Sequence, residues 1–188
     1  MNLLEWLAAA LGIVNVALVV RRSIWNYPFG IAMVSLYFFV FAEAKLYSDA
    51  LLQIFFLVIQ LYGWWNWRRA RNEDGVPVGT MSGGARAAWL IGTGAAIAGW
   101  GAFMAAYTDA AAPMVDAGIA GASVTAQILQ SLRRVESWVF WIAVDVVAIG
   151  LFASRGLYVT SVLYALFLLL ASAGLLSWIK ASRRSAAA

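Results

Sequence analysis

The chain has 188 residues, 64% hydrophobic and only 12% charged, with a net charge of +4 and neither cysteine nor histidine. Its mean hydropathy is +0.82 and its pI about 9.7. Soluble domains carry about a quarter charged residues, so the composition is that of an integral membrane protein. Without Cys and His, disulfides, thiolate metal sites and the commonest metal ligand and proton shuttle are excluded, and an enzyme would have only scattered carboxylates to work with. The basic balance reads as arginines retained in loops on one side of a membrane, not as a nucleic-acid surface.

Stretches of roughly 17 to 25 apolar residues mark membrane spans, and each must be helical because an isolated segment can satisfy its backbone polar groups in lipid only that way. The first, Leu4 to Val20, has no basic segment before it, so no cleaved leader is expected, and it carries Asn15 deep inside. The second runs from Pro28 to Ala42. The third, Ala50 to Trp67, places Gln53 and Gln60 seven apart on one face and ends in "QLYGWWNWRR". There Trp64, Trp65 and Trp67 with the following arginines read as an interfacial belt, although Trp64, four residues after Gln60, is also a candidate to reach a site.

After the loop "RRARNEDGVPVGTMSGGAR" comes a fourth span, Ala87 to Tyr107, and a weaker fifth, Val115 to Leu132. The fifth is rich in Ala, Gly, Ser and Thr and contains Gln127 and Gln130, which suits a helix packed closely among others and able to slide against them. In the sixth, Trp138 to Ala153, Trp138, Trp141 and Asp145 stand at i, i+3 and i+7, on one stripe. Glu136 begins that helix, where a carboxylate suits the exposed N–H groups. The seventh runs from Leu157 to Ile179.

Seven spans leave Lys45 and Arg155 on one side and eleven basic residues (Arg21, Arg22, Arg68, Arg69, Arg71, Arg86, Arg133, Arg134, Lys180, Arg183 and Arg184) on the other. Omitting the fifth span would give 6 against 7, so the positive-inside rule selects seven, with the N-terminus outside and the C-terminus inside. The outer face then carries Glu5, Glu43, Asp49, Asp109 and Asp116.

The chain also repeats. Aligning residues 29 to 67 with 140 to 178, an offset of 111, matches Phe29 with Phe140, Phe41 with Phe152, Tyr47 with Tyr158, Gly63 with Gly174 and Trp67 with Trp178. A single membrane domain is therefore expected, with three-helix units over 4–67 and 115–179 joined by a linker helix over 87–107. One linker crossing between two triplets makes the units parallel, an architecture typical of transporters with a site near the midplane.

Asp145 is the residue to explain. A carboxylate in a bilayer costs at least a few kcal/mol unless it faces a cavity, finds a partner or takes up a proton, and no Lys or Arg lies within any span. Two tryptophans on its own stripe point to a hydrated site that receives a flat cation, because indole faces attract cations and stack on rings. At the offset of 111, Asp145 stands opposite Val34, Gln53 opposite Tyr164 and Gln60 opposite Ala171. Matched scaffold with unmatched polar residues is what an asymmetric small molecule would require.

Residues 25 to 67, "WNYPFGIAMVSLYFFVFAEAKLYSDALLQIFFLVIQLYGWWNW", together with residues 136 to 178, "ESWVFWIAVDVVAIGLFASRGLYVTSVLYALFLLLASAGLLSW", resemble the PnuC vitamin transporters. The resemblance implies an all-α integral membrane fold of seven transmembrane helices in a 3+1+3 parallel pseudo-repeat, SWEET-like, assembled as a homotrimer. It also implies uptake of nicotinamide riboside across the bacterial inner membrane by facilitated diffusion with alternating access, and trapping by a separate cytoplasmic kinase. Thiamine and riboflavin are the cargo of similar proteins. The family's Trp-x-x-Trp-x-x-x-Asn motif falls on Trp138, Trp141 and position 145, which here is Asp. A carboxylate suits the pyridinium of nicotinamide riboside or the thiazolium of thiamine better than neutral riboflavin, and the expected preference follows that order. The expected binding residues are Trp138, Trp141, Asp145, Gln53, Gln60, Trp64, Gln127 and Asn15, with no catalytic residue, metal or cofactor. Neither Lys45 nor Lys180 sits in a phosphate-binding loop, so ATP hydrolysis is not expected.

Overall fold

The computed structural model describes residues 3–43, 47–73, 75–108 and 112–187, without the side chains at 5, 47–49 and 185–187. Lys45 and Asp109 of the charge count, and the side chains of Glu5, Tyr47 and Asp49, lie outside the described residues. The elements are α1 (Leu3–Val20), α2 (Asn26–Glu43), α3 (Tyr47–Ala70), α4 (Gly83–Tyr107), α5 (Pro113–Ser131), α6 (Ser137–Ser154) and α7 (Tyr158–Ala187). Among the described residues, α4, α6 and α7 are long and apolar enough to cross a membrane.

Helix ends follow local chemistry. Ser82 accepts from the Ala85 N–H at the start of α4, and Pro113 opens α5, where a missing N–H costs nothing. Three helices close in the same way, through a residue in left-handed conformation: Arg22 (φ 55°) after α1, Arg133 (φ 62°) after α5 and Gly156 (φ 73°) after α6. At each, two backbone N–H groups turn back onto the last helical carbonyls, as when Ser23 N–H bonds Leu18 O at 3.0 Å and Arg134 N–H bonds Leu129 O at 2.8 Å. Glycine adopts this conformation freely, whereas an arginine there costs on the order of 1 kcal/mol and is held by its surroundings.

Packing makes a ring. α1 packs on α2, α2 on α3, α3 on α5, α5 on α6, α6 on α7 and α7 back on α1, while α4 stands outside and, among the described residues, packs only on α5. The outward face of α4 exposes Leu90, Ile91, Trp100, Phe103 and Tyr107. The helix α5 is the most enclosed, and its buried residues include the polar Ser123, Thr125, Gln127, Gln130 and Ser131. Thr125 meets Thr93 of α4 at 2.8 Å, a hydroxyl pair that ties the outer helix to the ring.

One end of the ring is sealed by aromatic residues. Tyr27 meets Trp67 edge-on at 5.4 Å, Trp138 meets Trp178 edge-on at 5.4 Å, and Trp67 contacts Trp178 at 5.8 Å. The Trp67 indole donates to Gln130 O at 3.2 Å and the Trp178 indole to Val19 O at 3.1 Å. Tyr27 crowds Gly63 and Trp138 crowds Gly174, where any Cβ would collide with the ring. The members of each pair of contacts (27 and 138, 67 and 178, 19 and 130, 63 and 174) differ by 111 in number. Trp67, expected in the interfacial belt, is fully buried in this seal. The indole has a better use there, because its own buried N–H finds a carbonyl acceptor at the end of α5.

The loop from α3 to α4 straps this end. Val76 and Val78 insert into the seal, and the strap's carbonyls are held from both sides: Arg22 donates to Val76 O at 3.1 Å and Arg133 to Pro77 O at 3.3 Å. Burial, and then the charge of Arg134, lower the Arg133 pKa from its ordinary value. Glu136 does not cap its own helix as expected. Its Oε1 instead accepts from the Met81 N–H of the strap at 2.9 Å and pairs with Arg86 of α4 at 2.8 Å.

Candidate functional site

Above the aromatic seal the ring encloses a cavity of about 650 Å³, within the range of small-molecule sites. It extends toward Phe41 at the end of α2, Phe152 at the end of α6, and Leu157 and Thr160 where α7 begins.

Two amides form one wall. Asn15 of α1 donates to Asn26 O at 2.7 Å, which fixes its orientation. Gln60 of α3 lies beside it, and both are possible because position 30 on α2 is glycine: a Cβ there would stand 2.6 Å from Asn15 Nδ2 and 2.7 Å from Gln60 Nε2. That separation is closer than real Cβ contacts come, so any other residue would push the two amides from these positions.

The facing wall comes from α5 and α6. Gln127, Gln130, Trp138, Trp141 and Asp145 all line the cavity. The Trp141 indole donates to Gln130 Oε1 at 2.8 Å. Trp138 lies on the backbone of α7 at Gly174, and its buried Nε1–H has no hydrogen-bond partner among the described residues. Asp145 is 4% exposed, and no Lys or Arg is among the residues that line the cavity. It faces neither lipid nor dry packing away from the tryptophans. Carboxylate and indole faces on one wall, opposed by amides, can hold a flat cation by charge and stacking while the amides bind its polar substituents.

Seven of the eight residues expected from the sequence therefore meet at one cavity: Asn15, Gln53, Gln60, Gln127, Trp138, Trp141 and Asp145. Trp64 does not join them. It packs against the aromatic seal and lines a separate depression with Leu61, Trp65, Arg68 and Arg69. The fourfold helical step from Gln60 carries it one turn closer to that sealed end, below the cavity.

The sequence did not single out Tyr37 and Tyr164, nor a lining role for the phenylalanines. Tyr37 stacks on Phe41 at 5.6 Å and Phe152 stacks on Tyr164 at 5.3 Å, and both pairs, with Phe56 and Phe167, line the cavity away from the seal. A signal existed. Phe41 and Phe152, like Phe56 and Phe167, are 111 apart. The first pair reads as scaffold in the sequence, and only the closed ring turns both inward.

The profile of the nicotinamide mononucleotide transporter family matches residues 2–180. The nicotinamide riboside transporter PnuC of Escherichia coli (strain K12) is 26% identical over 209 residues, covering 96% of this chain and 87% of that protein. The protein of the same name from Neisseria mucosa is 33% identical over 159 residues, covering 79% of this chain and 60% of that protein. The riboflavin/roseoflavin transporter RibM of Streptomyces davaonensis is 30% identical over 181 residues, covering 93% and 83%. Among solved structures, a crystal structure of the vitamin B3 transporter PnuC superposes with a TM-score of 0.80 at 26% identity, covering 96% of this chain and 82% of that one.

Proposed function

Because the chain belongs to the nicotinamide mononucleotide transporter family, a family of all-α, multi-pass membrane proteins, we propose that it carries nicotinamide riboside by facilitated transport across the bacterial inner membrane. The observation that carries this reading is a cavity with Trp138, Trp141 and Asp145 on one wall and no basic side chain among its lining residues. The compounds after which the family and the relatives are named differ in charge, and the cavity chemistry chooses among them. A mononucleotide brings a phosphate of about −2 charge that wants arginine or lysine and would meet Asp145 instead. The riboside lacks the phosphate and keeps the cationic ring.

The same chemistry supports trapping: once a separate cytoplasmic kinase adds a phosphate, the product no longer suits the cavity and cannot leave. The chain is a transporter, not an enzyme. The binding set is Asn15, Gln53, Gln60, Gln127, Trp138, Trp141 and Asp145.

We further read the ring as two parallel three-helix units, α1–α3 and α5–α7, with α4 as linker, in a SWEET-like 3+1+3 arrangement. The contacts repeated at a spacing of 111 and the matching arginine closures support it. The N-terminus lies outside and the C-terminus inside, so the aromatic seal and its arginine-held strap face the cytoplasm. Alternating access then rocks one unit against the other, and three copies assemble in the membrane.

Purified protein in proteoliposomes tests the reading. Labelled nicotinamide riboside is expected to equilibrate without an ion gradient, competed well by thiamine, less by riboflavin and not by the mononucleotide. Effective competition by the mononucleotide would overturn it. Riboflavin is the second reading, favoured by the 30% identity to RibM, and preferential riboflavin uptake would establish it instead.

A further inference from the structure

The two halves of the ring close with the same backbone chemistry but different side chains, and the difference isolates one residue. At the end of α5, Gln130 O accepts from the Trp67 indole at 3.2 Å and from the Arg133 N–H at 3.0 Å. At the end of α1, Val19 O accepts from the Trp178 indole at 3.1 Å and from the Arg22 N–H at 2.9 Å. Positions 19 and 130, and likewise 30 and 141, are 111 apart. The first half thus has Val19 and Gly30 where the second has Gln130 and Trp141. The α1 half closes without any side-chain bond at these positions, so the fold does not need the Gln130–Trp141 bond.

The bond has a different consequence. Gln130 is 8% exposed, and its backbone is pinned from two directions, so its side-chain amide projects from a fixed point. The Trp141 Nε1–H···Oε1 bond of 2.8 Å then ties the indole plane to that point, at the cavity wall beside Asp145. An indole in an open cavity would otherwise swing about two side-chain torsions. We infer that Gln130 is a positioning residue, which holds the Trp141 ring at the angle that stacks on the cargo and so sets selectivity between flat rings of different width. The inference rests on the reading of this cavity as the cargo site.

A double-mutant cycle tests it, using equilibrium binding of nicotinamide riboside and of riboflavin to the full-length detergent-purified protein. Gln130→Met keeps the volume and removes the acceptor. It is expected to weaken nicotinamide riboside binding about tenfold, as for a half-buried donor left unpaired, and to change the ratio of the two dissociation constants by about threefold or more. In a Trp141→Phe background, which has no indole N–H, the same substitution is expected to cost less than about twofold, because coupled residues are not additive. Gln130→Glu restores an acceptor and is expected to bind nicotinamide riboside within about threefold of wild type, and this arm decides if Gln130→Met does not fold or if Trp141→Phe alone abolishes binding.

Undiminished binding by Gln130→Met, an equal loss in the Phe background, or a Glu variant as weak as the Met variant would overturn the assignment while leaving the cargo reading intact. Wild-type protein that binds neither compound would overturn the cargo reading and this inference together.

Discussion

A carboxylate at position 145, where the repeat has Val34, gives the cavity its charge. Burial without a basic partner raises the free energy of that charge, and a cationic ring lowers it again, so charge removal should discriminate between cargoes. Asp145→Asn keeps the shape, and we expect nicotinamide riboside to bind about tenfold more weakly in competition assays. Riboflavin binding should change by less than about threefold; equal losses for both would assign Asp145 a structural role. Gly30 is the opposite sort of residue, needed for what it lacks. Gly30→Ala drives a methyl group into the Asn15 and Gln60 amides, and uptake should fall by about tenfold or more at normal membrane yield. Asp145 and its two tryptophans were legible from spacing alone, since a helix puts i, i+3 and i+7 on one stripe. Gly30 was not, because a glycine's role depends on which side chains of other helices approach it.

At the level of elements, the closures separate strain from packing. Gly156 takes left-handed backbone with open space around its Cβ position, so Gly156→Ala should lower stability by about 1 kcal/mol in a thermal melt and leave affinity unchanged. A change in affinity would tie the α6–α7 turn to the cavity. Val76 is different, being 1% exposed in the strap that seals the ring. Val76→Ala removes two methyl groups from that seal and should cost on the order of 2 kcal/mol. A melt indistinguishable from wild type would mean the strap is not packed as described. The seven apolar stretches were readable with most ends displaced by a few residues, although α7 runs on past Ile179 to Ala187, since spans are dictated by lipid thickness and backbone satisfaction. The strap was not readable: it lacks hydrophobic periodicity, and its order comes from arginines and a glutamate of other loops.

For the molecule as a whole, sidedness is testable because the chain has no cysteine to give background. Leu157→Cys, at the open end of the cavity, should react with a membrane-impermeant thiol reagent on intact cells. Gly84→Cys, exposed at the start of α4 with nothing near its Cβ position, should react only after permeabilisation. The reverse pattern would invert the topology. The charge distribution made this prediction possible, because arginines in short loops resist translocation wherever the helices later pack.

Composition and hydropathy alone determined a helical membrane protein, and repeat spacing with one misplaced carboxylate determined where to look for its site. These are local or periodic properties, and solvent or translation symmetry reads them directly. Tertiary structure alone decided that six helices close into a ring with α4 outside. It also decided that Trp64 is left at the sealed end, that Trp67 is buried in the seal, that Glu136 serves the strap and that Gln130 holds Trp141. Each of these depends on which helix becomes a neighbour, and in a bilayer, where every apolar face is equally at home against lipid, hydrophobicity does not choose neighbours. Close packing at glycines and buried hydrogen bonds do, and both exist only once the helices have met.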